Sequence, residues 1–343
     1  MIKQEINIDN MKAFIIDKYK SKEGGKIENV PIPVLKADEV LVEVYAAGIN
    51  VLDSKIRKGE FKLFLPYKTP FILGHDLAGI ITKVGEKVQK FQVGDHVYAR
   101  PADHHIGTFA EFIAVNEADL AIKPAALTME EAASIPLVGL TAWQAFIEKG
   151  QLQKGERVFI QAGSGGVGTF AIQLAKYLGA TVATTTGTAN IELVKSLGAD
   201  VVIDYKKDDF EQVLNDYDLV LNSQDGLTLE KSLNVLKPGG KLISISGPPD
   251  PDFAEQIGAS WFVKLIMRLL SSKVRKKAKR LNVHFSFLFM RASGSQLNEI
   301  TTLINAGAIK PVIDKIFPLQ SANEAIAYVE SGRAKGKVVI KIK

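Results

Sequence analysis

Three glycines in the run Gly163-Ser-Gly-Gly-Val-Gly168 have the type and spacing for one kind of chemistry. Gly163, Gly165 and Gly168 satisfy G-x-G-x-x-G. The first glycine permits a tight turn, the second lets backbone approach a pyrophosphate, and the third allows close packing of the helix that follows. Ser164, Gly166 and Val167 complete the loop, and the N-terminus of that helix faces the phosphates. The flanks supply the context the pattern needs. Arg157 to Ile160 is β-branched and aromatic, and Val167, Phe170, Ala171, Leu174 and Leu178 recur at helical spacing. The chemistry is dinucleotide binding.

The residues about twenty positions further on bear on which dinucleotide. An acid there would hydrogen-bond the ribose hydroxyls of NAD, but the segment reads Thr184-Thr-Thr-Gly-Thr188. With no carboxylate to repel a 2′-phosphate and hydroxyls able to hold one, NADPH is expected over NADH. The loop has no arginine, so the phosphate would lean on Thr186, Thr188, Asn190, Tyr205 or a nearby lysine. Ser246 and Gly247 end a later strand on the side where such ligands bind.

Other chemistries lack their residues. The chain has no cysteine, which excludes disulfides, thiolate nucleophiles and thiolate zinc sites. His75 beside Asp76, and the adjacent His104 and His105, offer no converging ligand set, so no metal is expected. None of the eight tyrosines is followed by lysine in a Tyr-x-x-x-Lys pattern. Redox chemistry must come from a bound cofactor, and without a Lewis acid it suits acceptors that are already electrophilic, quinones or enones.

The elements that must position these residues fall into two groups. Up to about residue 134 the chain is β-rich, with short runs at Lys12 to Ile16, Glu39 to Ala46, Leu77 to Val84 and His96 to Ala99. From Gly155 strands alternate with helices: strands at 157–161, 181–185, 201–203, 219–222, 241–246 and 283–290, with helices to Leu178, from Asn190 to Leu197 and from Thr228 to Leu236. Pro238-Gly-Gly240 reads as a turn. A helix from Ser295 to Ala306 follows, and the tail returns to strand, short helix and strand. The expectation is an α/β chain in which 1–134 and 308–343 make one domain and 135–307 the nucleotide domain.

The net charge of +5 is local. Between Asp250 and Asn282 eight Lys/Arg stand against three acids, which equals the whole excess. Trp261, Phe262, Leu265, Ile266, Leu269 and Leu270 give this segment an amphipathic helical face, expected to pack on its own domain, with anionic membrane or RNA contact through 264–280 as the alternative. No apolar run is long enough to span a bilayer and the opening residues are polar, so a soluble cytoplasmic protein is expected.

Taken together, Ala47-Gly-Ile-Asn-Val-Leu-Asp53, Gly74-His-Asp-Leu-Ala-Gly79, Val93-Gly-Asp-His-Val-Tyr98, the loop through Gly168, Leu197-Gly-Ala-Asp200 and Gly332-Arg-Ala-Lys-Gly-Lys337 resemble the medium-chain dehydrogenase/reductase superfamily. Within it the chain is similar to the zinc-free quinone oxidoreductases of the zeta-crystallin type. The resemblance implies a GroES-like β-rich catalytic domain, a Rossmann domain and an active site in the cleft between them. In zinc-dependent relatives a cysteine occupies the position of Asn50. The resemblance also places Asn50 and Asp53 near nicotinamide and substrate, Asn50 as the donor to a developing oxyanion, and Thr141 against the nicotinamide. Their ordinary reading is a helix cap, with Asp53 and Arg57 an i,i+4 pair. Phe61, Phe64 and Tyr67 are candidates for an apolar pocket roof. Arg333, Lys335 and Lys337 reach either the cofactor phosphates or only solvent. The strand at 283–290 is too apolar for an exposed edge; a homodimer paired across a twofold axis or a covering helix explains it equally, and the resemblance favours the homodimer.

Overall fold

The computed structural model describes residues 10–62, 65–224 and 226–343; Phe64 lies outside them. Two compact units result. The first takes the described residues up to Leu137 together with Arg291–Gly307 and Pro311–Lys343, and the second takes Val138–Met290 with Ala308–Lys310.

The first unit opens with β1 (Asn10–Ile16), β2 (Lys26–Pro31), β3 (Glu39–Ile49), α1 (Val51–Arg57), β4 (Phe71–Ile72), β5 (Leu77–Val84), β6 (His96–Ala99), β7 (Phe112–Asn116), β8 (Leu120–Ile122) and α2 (Met129–Ala133). Strands β2, β1 and β4 form a small antiparallel sheet. The long strand β3 organises the larger one, pairing with β5 and β7. Val40, Val42 and Val44 on β3 pack one face against Leu77, Ile81, Val97 and Ile113, and most of the other face of the strand is buried too.

The second unit runs α3 (Pro136–Trp143, its first two residues in the first unit), widening into a π-helical stretch over Gln144–Gly150, then β9 (Arg157–Ile160), α4 (Gly166–Tyr177), β10 (Thr181–Thr186), α5 (Ile191–Ser196), β11 (Val201–Asp204), α6 (Phe210–Val213), β12 (Tyr217–Asn222), α7 (Leu227–Ser232), β13 (Leu236–Ser244), α8 (Pro251–Gln256), α9 (Trp261–Leu270), α10 (Ser272–Arg280) and β14 (His284–Phe287). Its six strands are parallel in the order β11-β10-β9-β12-β13-β14. That is the doubly wound dinucleotide fold, with the reversal between β9 and β12. The central strands are buried on both faces, hence the continuous apolar run Val158-Phe-Ile160. Phe159 packs on Phe210 and Tyr217, with ring centroids 5.1 and 6.2 Å away.

The chain then returns through α11 (Gly294–Asn305), β15 (Ile313–Pro318), α12 (Ala322–Glu330) and β16 (Lys337–Lys341), and β16 completes the large sheet beside β3. The structure revises three expectations here. Helix α11 belongs with the first unit, not the nucleotide domain. A Cβ at Gly294 would lie 2.2 Å from the Leu120 carbonyl oxygen, and the Tyr98 hydroxyl donates to the Leu297 carbonyl at 2.7 Å. Pro238-Gly-Gly240 lies within β13, where Gly239 takes φ +81° beside a register shift rather than a free turn. The helix expected to reach Leu236 stops at Ser232, because Tyr217 pairs with Leu236.

Candidate active site

In the first unit one polar cluster gathers Asn50, Asp53, His75, Asp76 and Lys337, none more than 5% exposed. Strand β3 delivers Asn50 to the start of α1. The antiparallel register that sets Val338 opposite Ile49 brings Lys337 alongside. Asp76 stands just before β5, and Gly48 is required beside it: a Cβ there would lie 2.4 Å from the Ala133 carbonyl and 3.0 Å from the Asp76 carboxylate.

Two linked groups make up the cluster. The Lys337 ammonium donates to Asn50 Oδ1 (2.6 Å), the Ile49 carbonyl (3.0 Å) and Asp76 Oδ2 (3.2 Å). Asn50 Nδ2 donates to Asp76 Oδ2 at 2.9 Å, and the Leu137 N–H donates to Asp76 Oδ1 at 2.8 Å. Complete burial pushes the Asp76 carboxyl above its ordinary range, against the opposing pull of Lys337, Asn50 and the Leu137 N–H. In the second group the Asn50 N–H donates to Asp53 Oδ2 at 2.7 Å, while Asp53 Oδ1 lies 2.6 Å from His75 Nδ1. His75 Nε2 is buried and has no hydrogen-bond partner, and neither has the Tyr67 hydroxyl. Burial, followed by the charge of Asp103, pushes the Tyr67 phenol up to about 12, and the Asp53 charge acts on it too.

The cap reading of this segment holds in part. Asp53 does cap the Asn50 N–H, but its own N–H returns to the Asn50 main-chain carbonyl at 3.0 Å. The Asp53–Arg57 pair does not form, because Arg57 reaches Glu330 on α12 at 2.8 Å and Asp53 turns inward to His75. Lys337 does not serve phosphates either. It sits on an inner strand, only 5% exposed, and its ammonium is committed to three acceptors. Tyr67 is buried and Phe61 half-buried.

The second unit presents the glycine loop at the end of β9. A Cβ on Gly163 would lie 2.1 Å from Thr184 Oγ1, and one on Gly168 2.4 Å from the Ala162 carbonyl. At Gly165, which caps α4, the nearest atom would be 3.4 Å away, so its outer face is open. Ser164 Oγ accepts from Thr186 Oγ1 (3.0 Å) and from Asn190 Nδ2 (3.3 Å), and Asn190 Oδ1 is buried without a partner. Thr184 and Thr185 bond inward, to the Ile160 carbonyl and to Gln161. Tyr205 is exposed, and its hydroxyl and the Lys206 side chain flank Gly187. One carboxylate is near, Asp204, and it is committed. It accepts from Thr188 Oγ1 at 2.6 Å and from the Lys206 N–H at 3.1 Å, and the Thr188 bond above all holds it below its ordinary range. Strand β13 ends at Ser244, so Ser246 and Gly247 lie in the loop beyond Ile245 rather than at the strand's end, with Gly247 at φ +90°, and Thr141 is buried on α3. A loop with an open second glycine, and hydroxyls and an amide around the next strand end, fits a dinucleotide bearing phosphates.

Residues 36–125 match the alcohol dehydrogenase GroES-like domain, and residues 197–340 match the family described as zinc-binding dehydrogenase. The chain is 36% identical to the mitochondrial NAD(P)H oxidoreductase RTN4IP1 of Danio rerio, across 97% of this chain and 91% of that one. The chain belongs to the medium-chain dehydrogenase/reductase superfamily. It is also 33% identical to the chloroplastic NADPH-dependent alkenal/one oxidoreductase of Arabidopsis thaliana, over 96% of this chain and 79% of that one. The structure of the quinone oxidoreductase from Coxiella burnetii superposes with a TM-score of 0.86 at 28% identity, covering 97% and 100% of the two chains. This oxidoreductase is therefore an NAD(P)H-dependent reductase with a GroES-like and a Rossmann unit.

One family description implies zinc, and the residues do not fit it. Cysteine is absent, His75 Nδ1 is committed to Asp53, and an ammonium stands against Asp76 where a metal ligand would need to be bare. Among the described residues no group of three His, Asp or Glu converges to hold an ion. Lys337 and the pairing of Asp53 with His75 were the site features that sequence reasoning missed. The Gly-His-Asp and Gly-Lys motifs marked those positions but not their partners.

Proposed function

We propose that the protein is an NADPH-dependent reductase that passes hydride to a quinone or an α,β-unsaturated carbonyl without a metal. The observation that carries the reading is the cluster around Asn50. A buried ammonium stands within it, and one ring nitrogen, His75 Nε2, is left uncommitted. The cofactor, when bound, supplies the hydride. Asp53 accepts from His75 Nδ1–H and leaves Nε2 uncommitted. Nε2 of the neutral ring is an acceptor, so it is as the imidazolium, paired with Asp53, that the ring gives its Nε2 proton to the substrate oxygen as negative charge develops there. The Tyr67 hydroxyl, neutral across the working pH range, is a second donor to that oxygen. Asn50 becomes a positioning residue: its amide is engaged by Lys337 and Asp76, and its N–H fixes Asp53.

For the cofactor, Gly163 through Gly168 would hold the pyrophosphate. Ser164, Asn190, Tyr205 and Lys206 would hold the 2′-phosphate, with Thr186 supporting Ser164 and Thr188 holding Asp204 aside. Thr141, Ser246 and Gly247 would meet the nicotinamide. The relatives' names, one for an alkenal/one and one for a quinone, support the acceptor class. Cytoplasmic residence and a homodimer through β14, an edge strand of the nucleotide sheet, belong to the same proposal. The test is a titration of the protein with NADPH and NADH, followed by cofactor fluorescence. Tighter binding of NADPH by about tenfold or more, lost in Lys206→Glu, is expected, and equal affinities in the unaltered protein would refute the assignment.

A further inference from the structure

Helix α9 turns its apolar stripe outward. The segment was expected to pack that face on its own domain, but Met267 is its one buried side chain. Trp261, Phe262, Leu265, Leu269 and Leu270 are all exposed, Trp261 at 77% and Leu269 at 63%. At 100° per residue, Trp261, Leu265, Leu269 and Phe262 lie on one continuous strip, bordered on one side by Lys264 and Arg268. Monomeric soluble proteins rarely leave such a patch bare.

Helix α10 follows after one buried residue. Ser271 fixes the joint, its hydroxyl donating to the Met267 carbonyl at 2.8 Å and accepting from Arg275 Nε at 3.1 Å. Val274 and Ala278 anchor α10 in the core of the nucleotide unit. Of its cations, Lys273 pairs with Glu230 at 2.6 Å and Lys277 donates to the Glu230 carbonyl. Among the described residues Lys264, Arg268, Lys276, Lys279 and Arg280 have no ion-pair partner. An apolar strip rich in Trp, Phe and Leu beside unpaired cations is the pattern of a helix lying in a lipid–water interface.

We propose that α9 and α10 dock the protein peripherally on an anionic lipid bilayer, α9 lying in the interface with its apolar strip inserted and α10 setting its cations against the headgroups. Charge complementarity selects this occupant. A second copy bound isologously through the same face would bring two strongly cationic segments together. RNA would use the cations and stack on the aromatic rings, but would leave the three leucines bare. The inference does not rest on the reductase chemistry.

The experiment is cosedimentation of the full chain with phosphatidylcholine vesicles, with and without phosphatidylserine, at low and high salt. A single-stranded RNA oligonucleotide is run in parallel, and light scattering reports oligomeric state. Sedimentation with the anionic vesicles alone, falling with salt, is expected. Lys276→Glu with Arg280→Glu should weaken it by about 25-fold or more, at roughly fivefold per basic residue. Trp261→Ser with Leu269→Ser should abolish it, while melting temperature and turnover of a soluble acceptor stay unchanged, since both side chains face solvent. Equal binding to neutral vesicles, or none to anionic ones, would overturn the proposal. So would RNA binding that the apolar variant retains, or conversion of a dimer to monomer by that variant.

Discussion

Lys337 carries the charge balance of the buried cluster, since it is the cation facing Asp76. Lys337→Met should therefore strand a buried carboxylate and cost about 3 kcal/mol or more of stability, read as a fall in urea midpoint. Adding Asp76→Asn should recover part of the loss, because the stranded charge is then gone. A pair whose second change makes no difference would show that Asp76 is not the group Lys337 compensates. His75→Asn is expected to lower kcat by about 10² or more while leaving KM for the nicotinamide cofactor nearly unchanged. Legibility at this scale was uneven. His75 and Asp76 could be marked from their motif, and Asn50 and Asp53 from resemblance. Lys337 was misread as a phosphate lysine because a sequence displays charge but not burial. Only the pairing of β16 with β3 takes that side chain out of water.

Elements place these residues, and two contrasts test how. Gly168→Ala drives a methyl onto the Ala162 carbonyl and the Gly163 backbone; a loss of about 1–3 kcal/mol is expected. Gly165→Ala has room in the protein and should change stability by less than about 1 kcal/mol. If the loop holds the cofactor as proposed, the same methyl should raise KM for the nicotinamide cofactor. Helix α1 is tied to α12 by Glu330, which accepts from Ser54 and Arg57. Burial alone would raise the Glu330 pKa, but the Ser54 hydroxyl and the Arg57 charge outweigh it and hold it low. Its stabilisation is thus fully present above the ordinary value of 4.5 and is lost as pH falls through the depressed folded value. The stability gap between the protein and Glu330→Gln should be open at neutral pH and close in acid. A gap that widened in acid would contradict this sign. The central strands β9 and β12 were readable because doubly buried strands are apolar runs, and β10, with four threonines in six residues, from its β-branched side chains. The amphipathic period of α9 was equally readable, but period does not say which way the stripe points, and the packing of α8, α9 and α10 turned it out.

At the scale of the whole molecule, the N-terminal β-rich segment and the C-terminal strand–helix–strand share one unit, and the six strands of the nucleotide fold come from the single stretch Val138–Met290 between them. That return was legible from the change in periodicity near Gly155 and again near Pro311. The membership of α11 was not, because its packing on β8 depends on Gly294 and on the Tyr98 hydroxyl. The edge strand β14 carries an assembly prediction. Leu288 donates its N–H to β13 and Phe287 donates outward to Asp250, so the Phe285 N–H also points away from the sheet. Phe285→Pro should shift a dimer towards monomer in light scattering, and an unchanged mass would place the interface elsewhere. Metal-independent reduction of electrophilic carbonyls by NADPH is checked by acceptor-dependent oxidation of NADPH by purified protein in the presence of a strong chelator. A medium-chain enone and an ortho-quinone are supplied side by side, with NADH as the comparison. Turnover of at least one acceptor, faster with NADPH and indifferent to chelator, is the predicted result. Turnover that the chelator abolishes, or none with either acceptor, would contradict the account.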